Sequence, residues 1–212
     1  MTSKEYTASQ AGPITLHVDT QAADVQVVTD PRVTGTWIEM STPDESGPSV
    51  DAIRRAEIRD NGSDVHVKLN EGASGGNVVI GNGRVQINGM TIVNGAVYGG
   101  NVVASSGITV RAITEPGSAV QVKTMSGDVV TKNVATVRAR TMSGDIDAVG
   151  VSRSADLKTM SGDIHVTGDG AGRPVVRAQT MSGDVTGAGV ELSGSSMSGR
   201  VRNQRLSAAD EW

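Results

Sequence analysis

Apolar and polar residues alternate along four short segments in the C-terminal half of the chain. Every second residue in them is Val, Ala, Leu or Thr, and a period of two is typical of a β-strand with one buried face. The alternation therefore predicts four half-buried strands. They are the segments 120–124, 137–141, 155–159 and 176–180, which read VQVKT, VRART, ADLKT and VRAQT.

Each predicted strand runs into one pentapeptide, TMSGD, which recurs in degenerate form as SMSGR from Ser196. An apolar residue stands five positions after each Thr, so strict alternation cannot continue across the motif. We interpret Ser-Gly-Asp as a corner, with Gly supplying backbone freedom and Asp a local hydrogen bond of the kind that turns favour. The Met residues recur at intervals of 17, 18, 21 and 16 residues, and repeats near 20 residues are typical of solenoids.

The pattern predicts an all-β fold: a single-stranded, β-helix-like β-solenoid of stacked coils with a small N-terminal β layer or cap. Each coil consists of a strand, an SGD corner, a second strand and a loop, and like residues form columns about 4.8 Å apart. The corner columns form a predicted structural ladder. It comprises Thr124, Ser126, Gly127, Asp128, Thr141, Ser143, Gly144, Asp145, Thr159, Ser161, Gly162, Asp163, Thr180, Ser182, Gly183 and Asp184.

Three regions follow along the chain. Residues 1–70 are predicted to form the N-terminal layer or cap, because alternation and a hairpin signal at 60–63 indicate paired strands. Such a cap would protect the open end of a stack. Residues 71–202 are predicted to form the solenoid, with the TMSGD coils at 120–200. Residues 203–212 form a polar tail.

The section 72–107 is rich in Gly and Asn, and Gly83, Gly89, Gly95 and Gly107 share a six-residue phase. Two interpretations remain open. The section forms tight coils of the same solenoid, or the segments RVQI, MTIV and AVYG form a meander joined by Asn-Gly turns.

Composition and charge narrow the picture. The chain has no Phe, no Cys and 27 Gly, which predicts a thin core of small and β-branched residues and excludes disulfides and cysteine-ligated metal. A net charge of −4 does not favour nucleic acid as a partner. No apolar run reaches the ~18 residues of a membrane span, and no apolar signal core opens the chain. We therefore expect a cytoplasmic protein.

The Asp column would place equal charges at strand spacing, where each adjacent pair repels by about 1 kcal/mol in water. Three interpretations account for this column: hydrogen bonds in the turns offset the repulsion, cations bridge the carboxylates, or the column is a docking strip. Arg200 would neutralise the end of the column. The corners lack the GGxGxD pattern of a calcium β-roll, so we predict no metal and no cofactor. The Met column indicates packing in the corner or an adaptable contact surface, with copper binding by stacked thioethers as a third interpretation.

A set of basic residues shares the outward face of the predicted strands. Lys123, Arg140 and Lys158 occupy the same slot, and Arg138 and Arg177 lie on the same face. These five residues are the candidate partner surface, and a merely solvated face is the alternative.

The SGDV and SGDI corners at 126–129, 143–146, 161–164 and 182–185, together with the paired-strand opening ITLHVDTQAADVQVV, carry a family resemblance. The chain resembles a bacterial family of unknown function, the β-strand-repeat "putative adhesin" domains. The resemblance covers most of the chain and implies a β-solenoid, right-handed in appearance, with no known catalytic residues.

An enzyme is the remote alternative, since paired carboxylates about 5 Å apart serve glycoside cleavage. That mechanism needs two carboxylates in different environments, whereas repeated corners offer identical ones. His17, His66 and His165 share no ligand or triad spacing, so we predict a protein that is not an enzyme. We expect a structural or interaction protein that presents charged columns to an unknown protein partner or to itself. An adhesin-like binder of an anionic or carbohydrate polymer is the alternative.

Overall fold

The computed structural model describes residues 1–70 and 107–204 in full, together with the backbone of three strands between 84 and 98. The described chain is mostly β-strand, with one short helix, α1, at Pro48–Arg55. Within these ranges no helix has the length and apolar character needed to cross a membrane.

Seventeen of the strands belong to two long sheets. The front sheet has nine strands in the order β1-β4-β10-β3-β12-β14-β16-β18-β20. They are β1 (Thr2–Thr7), β3 (Asp24–Thr29), β4 (Trp37–Thr42), β10 (Thr109–Thr114), β12 (Val129–Lys132), β14 (Ile146–Val151), β16 (Ile164–Gly168), β18 (Val185–Ala188) and β20 (Val201–Gln204).

The back sheet has eight strands in the order β19-β17-β15-β13-β11-β2-β6-β5. They are β2 (Thr15–Asp19), β5 (Glu57–Asp60), β6 (Asp64–Lys68), β11 (Ala119–Lys123), β13 (Thr136–Arg140), β15 (Ser154–Lys158), β17 (Val175–Thr180) and β19 (Glu191–Ser196). The apolar residues of both sheets belong to one buried cluster, so the sheets enclose a common core.

From β11 onward, successive strands alternate between the back and front sheets, and each pairs in parallel with the strand two places later. We call one back strand and the front strand that follows it a rung. Five rungs run from β11–β12 to β19–β20, and β2–β3 is a sixth that pairs with β11 and β12. Like residues face each other in register, as in Val120↔Val137 and Val129↔Ile146. The four alternating segments predicted as strands are thus β11, β13, β15 and β17.

The N-terminal residues share both long sheets with the repeats. The predicted boundary at residue 70 therefore does not separate two sheets, because β2 and β3 are rungs of the same stack. At this end β1 and β4 pair antiparallel in the front sheet, and β5 pairs antiparallel with β6 in the back sheet. The Tyr6 hydroxyl donates a 2.6 Å hydrogen bond to Asp60, which joins β1 to β5 and raises the pKa of Tyr6 to about 12.

Helix α1 lies against β1 and β4. Proline at its start, Asp51 in its first turn and basic residues in its last turn suit the helix dipole. Val50, Ala52 and Ile53 are buried, so the helix covers apolar surface at the N-terminal end of the stack.

The Gly/Asn-rich section contains a separate antiparallel sheet of β7 (Arg84–Ile87), β8 (Met90–Val93) and β9 (Ala96–Tyr98). Pairing of Ile87 with Met90 and of Val93 with Ala96 gives the strand order of a meander. The interpretation as further coils of the stack does not hold for these three strands. The predicted tail at 203–212 begins too early, because residues 203 and 204 belong to β20. The rest of 71–106 and residues 205–212 lie outside the described residues.

The core is built from short columns of small apolar side chains. In the back sheet one column reads Leu16, Val120, Val137, Ala155, Val176 and Leu192. The core thins toward the last rung, where Leu192 is only partly buried and Val201 is 45% exposed. The last rung therefore buries less apolar surface than the rungs before it.

We expect Leu157→Ala to lower the free energy of unfolding by about 2–5 kcal/mol, because Leu157 is fully buried in the third repeat rung and the substitution leaves a cavity. Leu192→Ala in the half-buried last rung is the matched control and should cost clearly less. Urea unfolding followed by circular dichroism measures both. Equal losses would contradict a core that thins toward the last rung.

Candidate functional site: the repeated corner and the basic face

Every TMSGD motif forms the corner that connects a back strand to the front strand of the same rung. The segment Thr20-Gln21-Ala22-Ala23-Asp24 occupies the same place between β2 and β3. It is a further copy that sequence reasoning missed, because only its first and last residues match. A search for Thr and Asp four positions apart between alternating segments would have found it.

The Asp side chains connect successive rungs through a ladder of hydrogen bonds. Oδ1 of each Asp accepts the backbone N–H of the residue in the same column of the next rung. The distance from the donating backbone N to the accepting Oδ1 is 3.1 Å for Asp128 to Asp24 and 2.9 Å for Asp145 to Asp128. It is 2.8 Å for Asp163 to Asp145, for Asp184 to Asp163 and for Arg200 to Asp184. The predicted local turn bond is thus replaced by a bond between rungs.

Arg200 ends this ladder as a donor. Its backbone N–H bonds to Asp184, and no described strand pairs with β20 beyond it. A carboxylate at position 200 would have no described neighbour to accept from.

At three of the corners, those of Gly127, Gly144 and Gly162, glycine is required by space and not by backbone freedom. A Cβ at Gly144 would overlap the carbonyl oxygen of Gly127, and a Cβ at Gly162 would overlap that of Gly144. Gly127, Gly144 and Gly162 do not have the positive φ that favours glycine. The explanation from backbone freedom was wrong for these three glycines, which allow one rung to approach the next. It holds for Gly183, whose φ of +154° lies in the region that favours glycine and whose added Cβ would also overlap the carbonyl oxygen of Gly162.

The Thr column is buried and completes the corner. The hydroxyls of Thr159 and Thr180 donate 3.1 Å hydrogen bonds to the carbonyls of Gly144 and Gly162 in the preceding rung. Thr141 bonds likewise to Gly127 at 3.4 Å. Ser196 replaces Thr and keeps the bond, at 2.8 Å from its hydroxyl to the carbonyl oxygen of Gly183.

The Met side chains point into solvent. Four of them are 44–53% exposed and Met197 is 78% exposed, which favours the interpretation as a contact surface over packing in the corner. Their backbones remain in the ladder: the carbonyl of Met125 accepts the N–H of Ser143 at 2.9 Å, and that of Met142 accepts the N–H of Ser161 at 2.9 Å.

The five predicted surface cations lie together on the outward side of the back sheet. Lys123 pairs in register with Arg140, and Arg140 with Lys158. Arg138 and Arg177 flank Asp156 in the neighbouring column. We call these five residues the basic face.

Asp156 is a member of this surface that sequence reasoning missed. Its Oδ2 lies 3.7 Å from Nε of Arg138 and 4.0 Å from Nη2 of Arg140. Both ion pairs are partly exposed. Such pairs hold the side chains in place but add little to the free energy of unfolding. Asp156 stands in the same strand slot as Arg138 and Arg177, which is the signal that would have found it.

The repeats and their corners match a known family model, described as Toastrack DUF4097, over residues 36–205. The chain belongs to the Toastrack DUF4097 family. The resemblance drawn from the SGD corners is thereby confirmed. The family match begins just before β4, so the β2–β3 rung that carries Thr20 and Asp24 precedes the matched residues.

Two solved structures are similar to this Toastrack chain. One is a "putative cell adhesion protein" from Clostridium sporogenes, with 8% identity, 96% of this chain and 100% of that chain covered, and a TM-score of 0.47. The other is a "putative adhesin" from Bacteroides fragilis, with 10% identity, 97% and 94% covered, and a TM-score of 0.40. No curated protein matches the chain.

Two histidines meet on the back sheet of this Toastrack chain. The rings of His17 and His66 stack with centroids 4.1 Å apart, beside a groove of about 430 Å³ that Arg59, Lys68 and Lys123 also line. His165 lies on the front sheet. Sequence spacing did not reveal the pair, because it arises from the parallel register of β2 and β6. Within the described ranges no three His, Asp or Glu side chains form a metal-binding group.

We expect Gly144→Ala to lower the free energy of unfolding by about 3 kcal/mol or more, because the new methyl group overlaps a backbone carbonyl that side-chain rotation cannot move. Gly172→Ala is the matched control, since nothing lies within 4 Å of its added Cβ. Thermal and urea unfolding measure both variants. Equal stability of the two would show that the rungs separate easily at the corner.

We expect His17 to titrate below its ordinary pKa, because burial and then the charge of His66 lower that pKa, against a smaller opposing effect of Asp64. The unfolded chain then binds the proton at higher pH than the folded one. The contribution of His17 to the free energy of unfolding is complete above about pH 6.5, the ordinary pKa of His. It is lost as pH falls toward the lower pKa of the folded state. NMR titration of the His17 ring measures the midpoint, which should rise in His66→Asn. A midpoint that is ordinary in both proteins contradicts the expectation.

Proposed function

We propose that the chain is a non-enzymatic interaction protein whose rungs form a β-solenoid that displays the basic face to an acidic partner. The observation that carries this proposal is the register of the five cations. Lys123, Arg140 and Lys158 form one outward column, and Arg138 and Arg177 lie in the next. A sheet holds these charges at fixed spacing, so a partner with matching acidic groups meets them together.

The corner ladders supply the rigidity that such a role needs. Backbone pairing continues from the back strands through the Met and Ser positions into the front strands, and the Asp and Thr side chains add a bond on each side of the corner. A preorganised surface loses little conformational freedom on binding. Charge complementarity then supports fast and selective association.

The Asp column supports an interaction role over a catalytic one. Asp128, Asp145 and Asp163 each use Oδ1 in the same bond to the next rung. Acid–base chemistry by two carboxylates depends on environments that separate their pKa values, and a repeated corner supplies one environment several times. A cytoplasmic location stays a prediction.

The test compares charge reversals on the two sheets. We expect Arg138→Glu with Arg177→Glu to weaken binding to immobilised poly-glutamate, because the pair changes the basic face from attractive to repulsive. Lys132→Glu with Arg202→Glu is the matched control, since it makes the same charge change at exposed front-sheet positions. Elution by a salt gradient measures binding, and circular dichroism confirms that each variant folds.

The proposal predicts earlier elution for the back-sheet pair alone. It fails if the wild type does not bind, or if both pairs elute alike. Immobilised heparin in place of poly-glutamate tests the alternative of an anionic polymer. If the chain is retained on heparin and not on poly-glutamate, the proposed partner is an anionic polymer and not an acidic protein.

A further inference from the structure

The corners place a row of exposed apolar side chains along one edge of the stack. We call this row the Met edge: Met125, Met142, Met160, Met181 and Met197. Strand spacing of about 4.8 Å makes its five members span about 20 Å. Contiguous exposed apolar surface marks a contact in soluble proteins, and flexible, polarizable Met side chains adapt well to a facing surface.

The Met edge lies between charged rows of opposite sign. The residue before each Thr is basic in three rungs, Lys123, Arg140 and Lys158, and the residue three positions after the Met is Asp. Asp128, Asp145 and Asp163 are exposed, as are Lys123 and Arg140, and Lys158 is half-buried. Each of these rungs thus presents a cation, a thioether and a carboxylate in the same order across the edge.

This order is complementary to itself in one arrangement. A two-fold axis parallel to the stack brings two Met edges together with each rung opposite the same rung of the other copy. The basic row of one copy then faces the acidic row of the other, so Lys123 meets the second copy's position 128 and Arg140 its position 145. An antiparallel arrangement, with the axis perpendicular to the sheets, brings basic row against basic row and is opposed by like charge.

We propose that the Met edge is a homotypic contact that joins two copies of this chain in parallel and in register. This inference rests on the proposed function of an interaction protein and names a second copy as one of its partners. The edge is one side chain wide at its apolar centre, so the contact falls well short of the ~800 Å² per partner of a standard interface. It is therefore weak between free molecules and strengthens where copies are held close together.

The experiment uses the absence of cysteine from the chain. Met125→Cys lies at one end of the row, so a short bis-maleimide crosslinker joins two copies through this position only in the parallel arrangement. Ser152→Cys is the matched control, because Ser152 is exposed in the opposite connection, between β14 and β15. We expect a crosslinked dimer from Met125→Cys whose yield rises with protein concentration, and only collisional background from Ser152→Cys.

Charge reversal tests the complementarity. Adding Lys123→Glu, Arg140→Glu and Lys158→Glu to Met125→Cys removes six ion pairs from the dimer and should lower the crosslinking rate at least about tenfold. High salt should lower the rate of the parent variant in the same direction. Circular dichroism melting verifies that these surface substitutions leave the fold intact. A rate insensitive to both changes overturns the proposal.

The remaining outcomes also decide it. If a mixture of Met125→Cys and Met197→Cys crosslinks faster than either variant by itself, the two copies pair antiparallel. That result overturns the parallel contact. Equal rates for Met125→Cys and Ser152→Cys overturn any specific contact at the edge. Arg138→Glu with Arg177→Glu lies away from the edge and should leave crosslinking unchanged. Lost crosslinking together with retained poly-glutamate binding would remove this inference and leave the proposed function in place.

Discussion

The close approach of one corner to the next determines the rest of this structure. A corner carbonyl of each rung, from Ala23 in the β2–β3 rung and from Gly in the later ones, fills the place where the Gly of the following rung would carry a Cβ. Only glycine permits this approach, and it brings each Asp Oδ1 within hydrogen-bond distance of the next backbone N–H. Register is thereby fixed at the corner as well as in the strands. A slip of one residue would break the side-chain bonds and create an overlap at the same time.

The surface follows from this constraint. When corners coincide from rung to rung, the residues on either side must coincide too, so cations, thioethers and carboxylates form continuous rows. The buried Thr hydroxyls and the exposed Met side chains are neighbours in the chain, yet one bonds to a Gly carbonyl and the other meets solvent. The basic face and the Met edge are therefore products of the same geometry that stabilises the fold. Asp156 interrupts the rows locally and pairs with Arg138.

The sequence allowed the strands and the corners to be predicted because alternation and an identical motif report local geometry directly. The role of Gly was not predictable, since a steric contact between rungs has the same sequence signature as a turn. The exposure of Met142 was likewise hidden, because an apolar residue at a corner suits either packing or display. The β2–β3 rung was missed for a different reason. Val25 pairs with Val129 across more than a hundred residues, and the sequence signal for that pairing is limited to the Thr and Asp that the corner at 20–24 shares with the motif.

The Asp ladder also has an evolutionary consequence. Each copy of the motif accepts from one neighbour and donates to the other, so a duplicated or deleted copy inside the array would still find both partners. The interior is thus open to changes in copy number by recombination within the gene. Arg200 sets a limit to such growth, because a copy added after it would lack the side-chain acceptor that every earlier copy provides. A copy added beyond that point would pair with the last rung through its backbone alone, unless position 200 also became Asp.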